Sequence, residues 1–189
     1  MDEVVKQAMA RWPNVPNCFG WLALDRRGQW RMRNEFAQQH GLSGDPIRHE
    51  ALIGFIERNY THDGHGAWYF QNGPQRVFVS LAYAPWIARL HNGALTTSSG
   101  RAFTPAACFA DEHGNVVLSG TVEGVAGEQA ALLHDHDLDA FSTASDWHGE
   151  ACGAVLGVFH HAGRDIDIEP IVEAEVPKRF GFVRVPVAA

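Results

Sequence analysis

Two short polar stretches carry the groups best placed for chemistry in this chain. The first is Asn72-Gly73-Pro74-Gln75-Arg76, which lies between the β-prone runs WYFQ and RVFV. It offers two amides and a guanidinium near one turn, and these groups bind a ligand as readily as they satisfy turn backbone. The second is Arg48-His49, at the start of a helix-like segment, where exposed N–H groups favour an anion. The predicted ligand-binding residues are Arg48, His49, Asn72, Gln75 and Arg76, and the predicted ligand is a small anionic metabolite.

Proline determines which turn the first stretch forms. A two-residue Asn72-Gly73 turn needs an N–H from the residue that follows it, and Pro74 has none. The sequence therefore predicts a wider, type I turn from Gly73 to Arg76, with Pro74 at its second position. In the alternative interpretation, the amides only satisfy the turn and Arg76 pairs with a nearby acid.

Metal binding is the main competing chemistry, because the chain has 11 histidines. The tightest cluster is His134-Asp135-His136-Asp137. On a strand, His134 and His136 would share one face and bind a transition metal if a third ligand folded over them. On a helix the two rings diverge, and Asp137 would cap the segment LDAFSTAS. We favour the helical interpretation and predict no metal site.

Other catalytic signatures are missing from the sequence. It contains no GxSxG, GxGxxG or GxxxxGK[ST] motif. Cys18, Cys108 and Cys152 each have apolar neighbours, where a thiol pKa stays high and the sulfur is inert. The sequence therefore predicts no cofactor and identifies no catalytic residue, and whether the protein is an enzyme stays open.

Composition narrows the class of protein. With 189 residues, 46% of them hydrophobic and 20% charged, the chain has the profile of a globular protein. Its net charge of −7 argues against nucleic acid and anionic lipid as partners. No apolar run reaches bilayer length and the start lacks signal-peptide features, so we predict a cytoplasmic protein with no membrane partner. An oligomer stays open.

Antiparallel hairpins and one principal helix are predicted to position the candidate residues. The run FGWLALDRRGQWRMR is typical of a hairpin, and WYFQNGPQRVFV is typical of another. Between them, Asp45 is expected to cap a helix near 46–59 that Pro46 opens at its first position. These segments form a predicted N-terminal hairpin-helix-hairpin unit over 1–90.

The second half repeats the pattern of strand, acidic-glycine turn and strand in ADEHGNVV. GEQAALLHDHDLDAFSTAS is expected to supply a helical segment. Three further strands are predicted in GAVLGVFHH, DIDIEPIVEAEV and FGFVRVPV. The acidic face of the second of these three is expected to be a solvated sheet edge. The overall prediction is an α+β fold of mainly antiparallel hairpins, in which 91–189 form a C-terminal β-rich unit and the two units are similar subdomains.

The run PIRHEALIGFIERNYTHDGHGAWYFQNGPQRVFVSLAYAPW resembles the signature of a bacterial, mostly proteobacterial, family of proteins of unknown function. FGWLALDRRGQWRMR, DEHGNVVLS and DHDLDAF extend the resemblance over most of the chain. More distantly, the chain is similar to a second unknown-function family, in which a Gly-x-Trp hairpin is followed by a Pro-Ile helix, a D-x-x-G turn and a Thr-Pro hairpin. A terminal acidic-x-Pro-aromatic phrase ends that pattern, and AYAPW fills it without the acidic residue. The resemblances imply a compact, two-part, mainly β fold and transfer no catalytic residues.

Three functions are compatible with the sequence. The leading hypothesis is a non-enzymatic ligand-binding or regulatory module. A metal-dependent hydrolase that uses the His/Asp-rich second half is the first alternative. A structural module that binds a protein partner is the second.

Overall fold

A computed structural model describes residues 1–148 and 155–188, and these form two compact units. Unit 1 comprises Met1–Asp25, Gln29–Tyr83 and Gly181–Ala189. Unit 2 comprises Arg26–Gly28 and Ala84–Phe180. The predicted division at residue 90 stays a prediction. Cys152 and the first residues of the strand predicted in GAVLGVFHH lie outside the described ranges.

Unit 1 is a six-stranded sheet with three helices. The helices are α1 (Glu3–Arg11), α2 (Glu35–Gln39) and α3 (Glu50–Arg58). The strands are β1 (Cys18–Leu24), β2 (Trp30–Met32), β3 (Asp45–Pro46), β4 (Tyr60–His62), β5 (Trp68–Asn72) and β6 (Gln75–Leu81). Their order in the sheet is β3-β2-β1-β6-β5-β4. Both predicted hairpins form, and β1 joins them by pairing in parallel with β6.

The principal helix of unit 1 is shorter than predicted. Asp45 and Pro46 form the short strand β3, in which Pro46 pairs with Arg31. The helix begins only at Glu50, after His49 as N-cap. Pro46 is therefore an edge-strand residue, a position that needs no N–H from it. The predicted cap at Asp45 is wrong for this reason.

Over its described residues, unit 2 is an eight-stranded sheet with two short α-helices. The strands are β7 (Trp86–His91), β8 (Ala94–Thr97), β9 (Phe103–Asp111), β10 (Val116–Val122), β11 (Gln129–Leu133), β12 (Ser145–Trp147), β13 (Gly157–His161) and β14 (Arg164–Ile171). Their order is β12-β13-β14-β9-β10-β11-β7-β8. The helices are α4 (Leu138–Thr143) and α5 (Val176–Phe180).

Three predictions for the second half need correction. QAALL forms the buried strand β11 rather than a helix, and only LDAFST is α-helical. The acidic strand β14 lies inside the sheet between β13 and β9, so it is not an edge. FGFVRVPV forms no strand and contributes one bridge, from Val183 to Ala67 in unit 1. In the first two cases pairing with a distant strand, which local pattern cannot specify, decides the outcome.

Strands dominate both units, as the α+β prediction requires. The core of each unit is formed by fully buried aliphatic and aromatic side chains. Examples are Val79 and Ile56 in unit 1 and Leu118 and Phe159 in unit 2. Among the described residues, no helix has the length and apolar character to cross a membrane.

Candidate functional site

The hairpin tip between β5 and β6 is a two-residue turn. Asn72 pairs with Gln75, so only Gly73 and Pro74 lie in the loop. Gly73 has φ +56°. Because proline cannot take positive φ, a type I′ turn is excluded, and the geometry fits type II′ with glycine first. The predicted wider turn is therefore wrong, since the residue that closes the hairpin is Gln75, which has an N–H, and not Pro74.

Strand register separates the predicted site residues at this tip. Asn72 and Gln75 face the same side of the sheet, whereas Arg76 faces the other side with its partner Gln71. Gln75 Nε2 donates to the Pro16 carbonyl at 3.0 Å. The Arg76 guanidinium lies 4.9 Å from the centre of the Tyr69 ring, and it makes no ion pair with the acidic side chains of the described residues. The two amides and the guanidinium therefore do not converge on one ligand.

Arg48 and His49 precede α3 and are both exposed. His49 Nδ1 accepts the Leu52 N–H at 3.3 Å, so this imidazole caps the helix. In the described part of the chain, Arg48 makes no ion pair within 4 Å. Its charge therefore stays available to a ligand at the start of α3.

A cavity of about 300 Å³ lies between α3 and one face of the unit 1 sheet. Helix and sheet meet beside it where Phe55 packs edge-on against Phe70, with ring centres 5.3 Å apart. The cavity is lined by Cys18, Trp21, Leu22, Met32, Ile47, Leu52, Phe55, Ile56, Phe70, Asn72 and Val77. Asn72 is the one predicted site residue among them.

Large apolar side chains stand exposed around the cavity. Trp21 is 41% exposed, Met32 44% and Leu52 37%, although all three line it. Single exposed apolar side chains are common in proteins, whereas several that adjoin one concave site are a feature of binding surfaces. Met32 lies two residues after the buried Trp30, on the same face of β2, so strand alternation alone does not indicate that Met32 is exposed.

Cys18 lies half-buried in the cavity wall, beside Val77 in the parallel pairing of β1 with β6. Burial raises the pKa of its thiol. The thiol is therefore protonated at neutral pH and a weak nucleophile. Burial also raises the pKa of Cys108, to about 12, which fits the prediction of an inert sulfur there.

In unit 2, the segment from His134 to Asp137 is a compact polar cluster. His134 is extended and precedes a 3-10 turn over Asp135–Asp137. The rings of His134 and His136 lie 4.8 Å apart, centre to centre. The prediction that helical spacing would keep them apart is wrong, because the helix proper begins only at Leu138.

Asp137 occupies the N-cap position of α4 but does not cap it. Its carboxylate accepts from Arg89 Nε at 2.6 Å and Nη2 at 3.2 Å, and from the Leu90 N–H at 3.0 Å. Burial raises the pKa of Asp137, but the bonds from Arg89 and Leu90 outweigh it and hold the pKa below its usual value. Asp137 therefore does not cap α4 as predicted. It binds Arg89 and Leu90 of β7 instead, and this contact anchors the segment to that strand.

Two histidines of unit 2 are perturbed in opposite directions. Burial, with the nearby charge of Arg89, lowers the pKa of His134. His160 is exposed and lies between two carboxylates, with Nδ1 at 2.8 Å from Asp165 and Nε2 at 3.0 Å from Asp146. Those bonds, the Asp165 one first, raise the pKa of His160.

Solved structures similar to this chain are DUF1285 family proteins. One from Silicibacter pomeroyi DSS-3 covers 93% of this chain and 99% of its own, with 14% identity and a TM-score of 0.50. Another from Shewanella baltica OS155 covers 65% of this chain and 91% of its own, with 12% identity and a TM-score of 0.38. The first likeness confirms the predicted α+β fold and says nothing of activity.

No curated protein matches the chain. The profile of a domain-of-unknown-function family, DUF2944, with the description "Protein of unknown function (DUF2946)", matches residues 1–187. The match extends over both units, which confirms the resemblance carried by the PIRH and WYFQNGPQRV motifs. The chain therefore belongs to this family of proteins of unknown function.

Proposed function

We propose that unit 1 is a binding module for a small amphipathic molecule whose apolar body lies in the cavity beneath α3. The observation that carries the proposal is the cavity itself, with about 300 Å³ of space and walls of aliphatic and aromatic side chains. Ligand sites of this kind are concave, mainly apolar and supplied with a few polar groups. Asn72 at the cavity wall is such a polar group.

An anionic head group on this ligand is supported by the start of α3. Ile47 and Leu52 line the cavity, and Arg48 and His49 lie between them in the chain. Arg48 is exposed, and the first turn of a helix attracts negative charge. Arg48 and His49 would therefore face the head group, while the apolar body enters the cavity.

The other predicted contacts take a supporting role in this proposal. Gln75 is held by Pro16 and Arg76 by the Tyr69 ring, so both stabilise the hairpin that presents Asn72. The cavity walls favour binding over catalysis. Cys18 is the one titratable side chain among the described lining residues, and burial keeps its thiol protonated.

Anilinonaphthalene sulfonate, an apolar fluorescent anion, tests the proposal directly. We expect it to bind the full chain with enhanced emission, and we expect Leu52→Trp, which enlarges a side chain at the cavity wall, to weaken that binding about tenfold or more. Leu42→Trp is the matched control, because Leu42 is 48% exposed and does not line the cavity. Equal loss in both variants, or none in Leu52→Trp, would refute the cavity as the site.

The anionic head is tested with N-phenylnaphthylamine, which lacks the sulfonate. Arg48→Ala is expected to weaken binding of the sulfonate by several-fold, in line with one partly exposed charge contact. The uncharged analogue should bind the same variant and the parent chain equally. If Arg48→Ala leaves sulfonate binding unchanged, the cavity still stands but the head group does not lie at α3.

A further inference from the structure

We propose that His134, Asp135 and His136 of unit 2 form a binding site for a divalent transition metal, with Zn²⁺ as the reference ion. Each of the three offers one ligand atom, and these atoms all lie within 4.8 Å of one another. Two imidazoles and one carboxylate are a donor set that Zn²⁺, Cu²⁺ and Ni²⁺ accept. The site is separate from the cavity of unit 1 and needs no ligand there.

Two polar groups lie close to His134 Nδ1. This nitrogen accepts the His136 N–H at 3.1 Å. Asp135 Oδ1 lies 3.0 Å from the same nitrogen. Because an imidazole nitrogen has one lone pair, a metal at Nδ1 takes the place of the His136 N–H, whereas a metal at Nε2 leaves that bond intact.

Ligand spacing requires a modest adjustment. Metal–ligand bonds of about 2.1 Å in a tetrahedron place ligand atoms about 3.4 Å apart, so the widest pair must close by somewhat more than about 1 Å. His134 is buried and supplies a fixed anchor. Asp135 and His136 are exposed, and rotation of their side chains closes the gap without moving the backbone of β11.

Arg27 is the competitor of the metal. Its Nε and Nη2 donate to Asp135 Oδ2 at 3.0 and 2.6 Å, which leaves Oδ1 towards His134. This pair is half-exposed, with 59% and 48% of the two side chains accessible, so it holds the carboxylate only weakly. Arg89 does not add to the competition for Asp135 because its guanidinium binds Asp137.

Calorimetric titration of the full chain, purified without a metal-affinity tag, with Zn²⁺ tests the site. We expect one stoichiometric binding event, and His136→Ala should weaken it at least about tenfold, because one of three protein ligands is lost. His65→Ala is the matched control, since His65 is an exposed histidine of unit 1 and should leave the event unchanged. No stoichiometric event, or equal affinity in His136→Ala and the parent chain, would overturn the proposal.

The role of Asp135 is tested by removing its competitor. Arg27→Gln frees the carboxylate and removes a repelling charge, so Zn²⁺ should bind several-fold more tightly than to the parent chain. Arg27 is exposed, so its replacement should not disturb the fold, and unfolding would in any case not produce tighter binding. Unchanged or weaker binding in Arg27→Gln would show that Asp135 is not a ligand and would overturn the three-residue assignment.

Discussion

Asp137→Ala is expected to lower the free energy of unfolding by about 3 kcal/mol. The Asp137 side chain is 11% exposed, and its carboxylate accepts three hydrogen bonds. Truncation leaves the buried Leu90 N–H without its acceptor, a loss of about 1–3 kcal/mol. Loss of the Arg89 pair adds about 1 kcal/mol, discounted because the Arg89 side chain is 42% exposed and regains water.

Asp137→Asn separates the two contributions. The amide oxygen of Asn can still accept the Leu90 N–H, whereas the charge that binds Arg89 is lost. We therefore expect about 1 kcal/mol for Asn against about 3 kcal/mol for Ala. Urea unfolding followed by circular dichroism measures both values, provided that the slope with denaturant stays that of the parent chain.

The same anchor makes an acid-range prediction. The pKa of Asp137 is lower in the folded chain than in the unfolded one, so its stabilisation is fully present above about pH 4 and is lost as the pH falls through the folded pKa. Asp137→Asn should remove this part of the acid sensitivity. If Ala and Asn cost the same, or if either costs nothing, the buried Leu90 N–H is not what Asp137 satisfies and the reasoning fails.

Three further changes test other parts of the fold. Ala162 has φ +50° before Gly163 in the β13–β14 turn, where an L side chain other than Asn or Asp is strained, so Ala162→Asn should raise unfolding free energy by about 1 kcal/mol in urea titrations. The raised pKa of His160 means that its contribution to the free energy of unfolding is present below about pH 6.5 and is lost as the pH rises through the folded pKa. In His160→Gln, the free energy of unfolding measured across this pH range should therefore fall less than in the parent chain. A Cβ at Gly120 would clash with the Thr104 carbonyl at the β9–β10 bulge, so Gly120→Ala should lower the melting temperature by several degrees.

Local pattern predicted the elements that neighbours in sequence determine. The hairpins β1–β2 and β5–β6 form where polar turn residues separate alternating runs. The prediction that Pro46 opens a helix is wrong because proline suits both the first turn of a helix and an edge strand. Only the pairing of Pro46 with Arg31 selects the edge strand. The helix predicted over GEQAALL is wrong for a similar reason, since QAALL is held as strand β11 by parallel pairing with β7 and antiparallel pairing with β10.

The cavity was beyond prediction for a related reason. Its walls come from β1, β2, β5, β6 and α3, and they meet through the parallel pairing of Cys18 with Val77. Parallel pairing between distant strands leaves no local signature. The polar groups of the hairpin tip could be found from sequence, but the face that each one occupies depends on the strand register, since a slip of one residue moves every side chain to the other face. In the observed register Asn72 lies on the cavity side with Gln75, and Arg76 lies on the other side.

The polar tip of this hairpin is better explained as a support for the cavity than as a ligand site. Buried Gln71 donates from Nε2 to the Gly73 carbonyl at 2.9 Å, which fixes the turn from the side opposite to the cavity. Its Oε1 is a buried acceptor without a partner among the described residues, a cost of about 1–3 kcal/mol that one ordered water would offset. A side chain held in that position stabilises one turn geometry, and this geometry aims Asn72 at the cavity wall. The polar groups of the hairpin tip are conspicuous in the sequence, and their structural role is to support the apolar cavity beneath α3. That cavity has no comparable signature in the sequence.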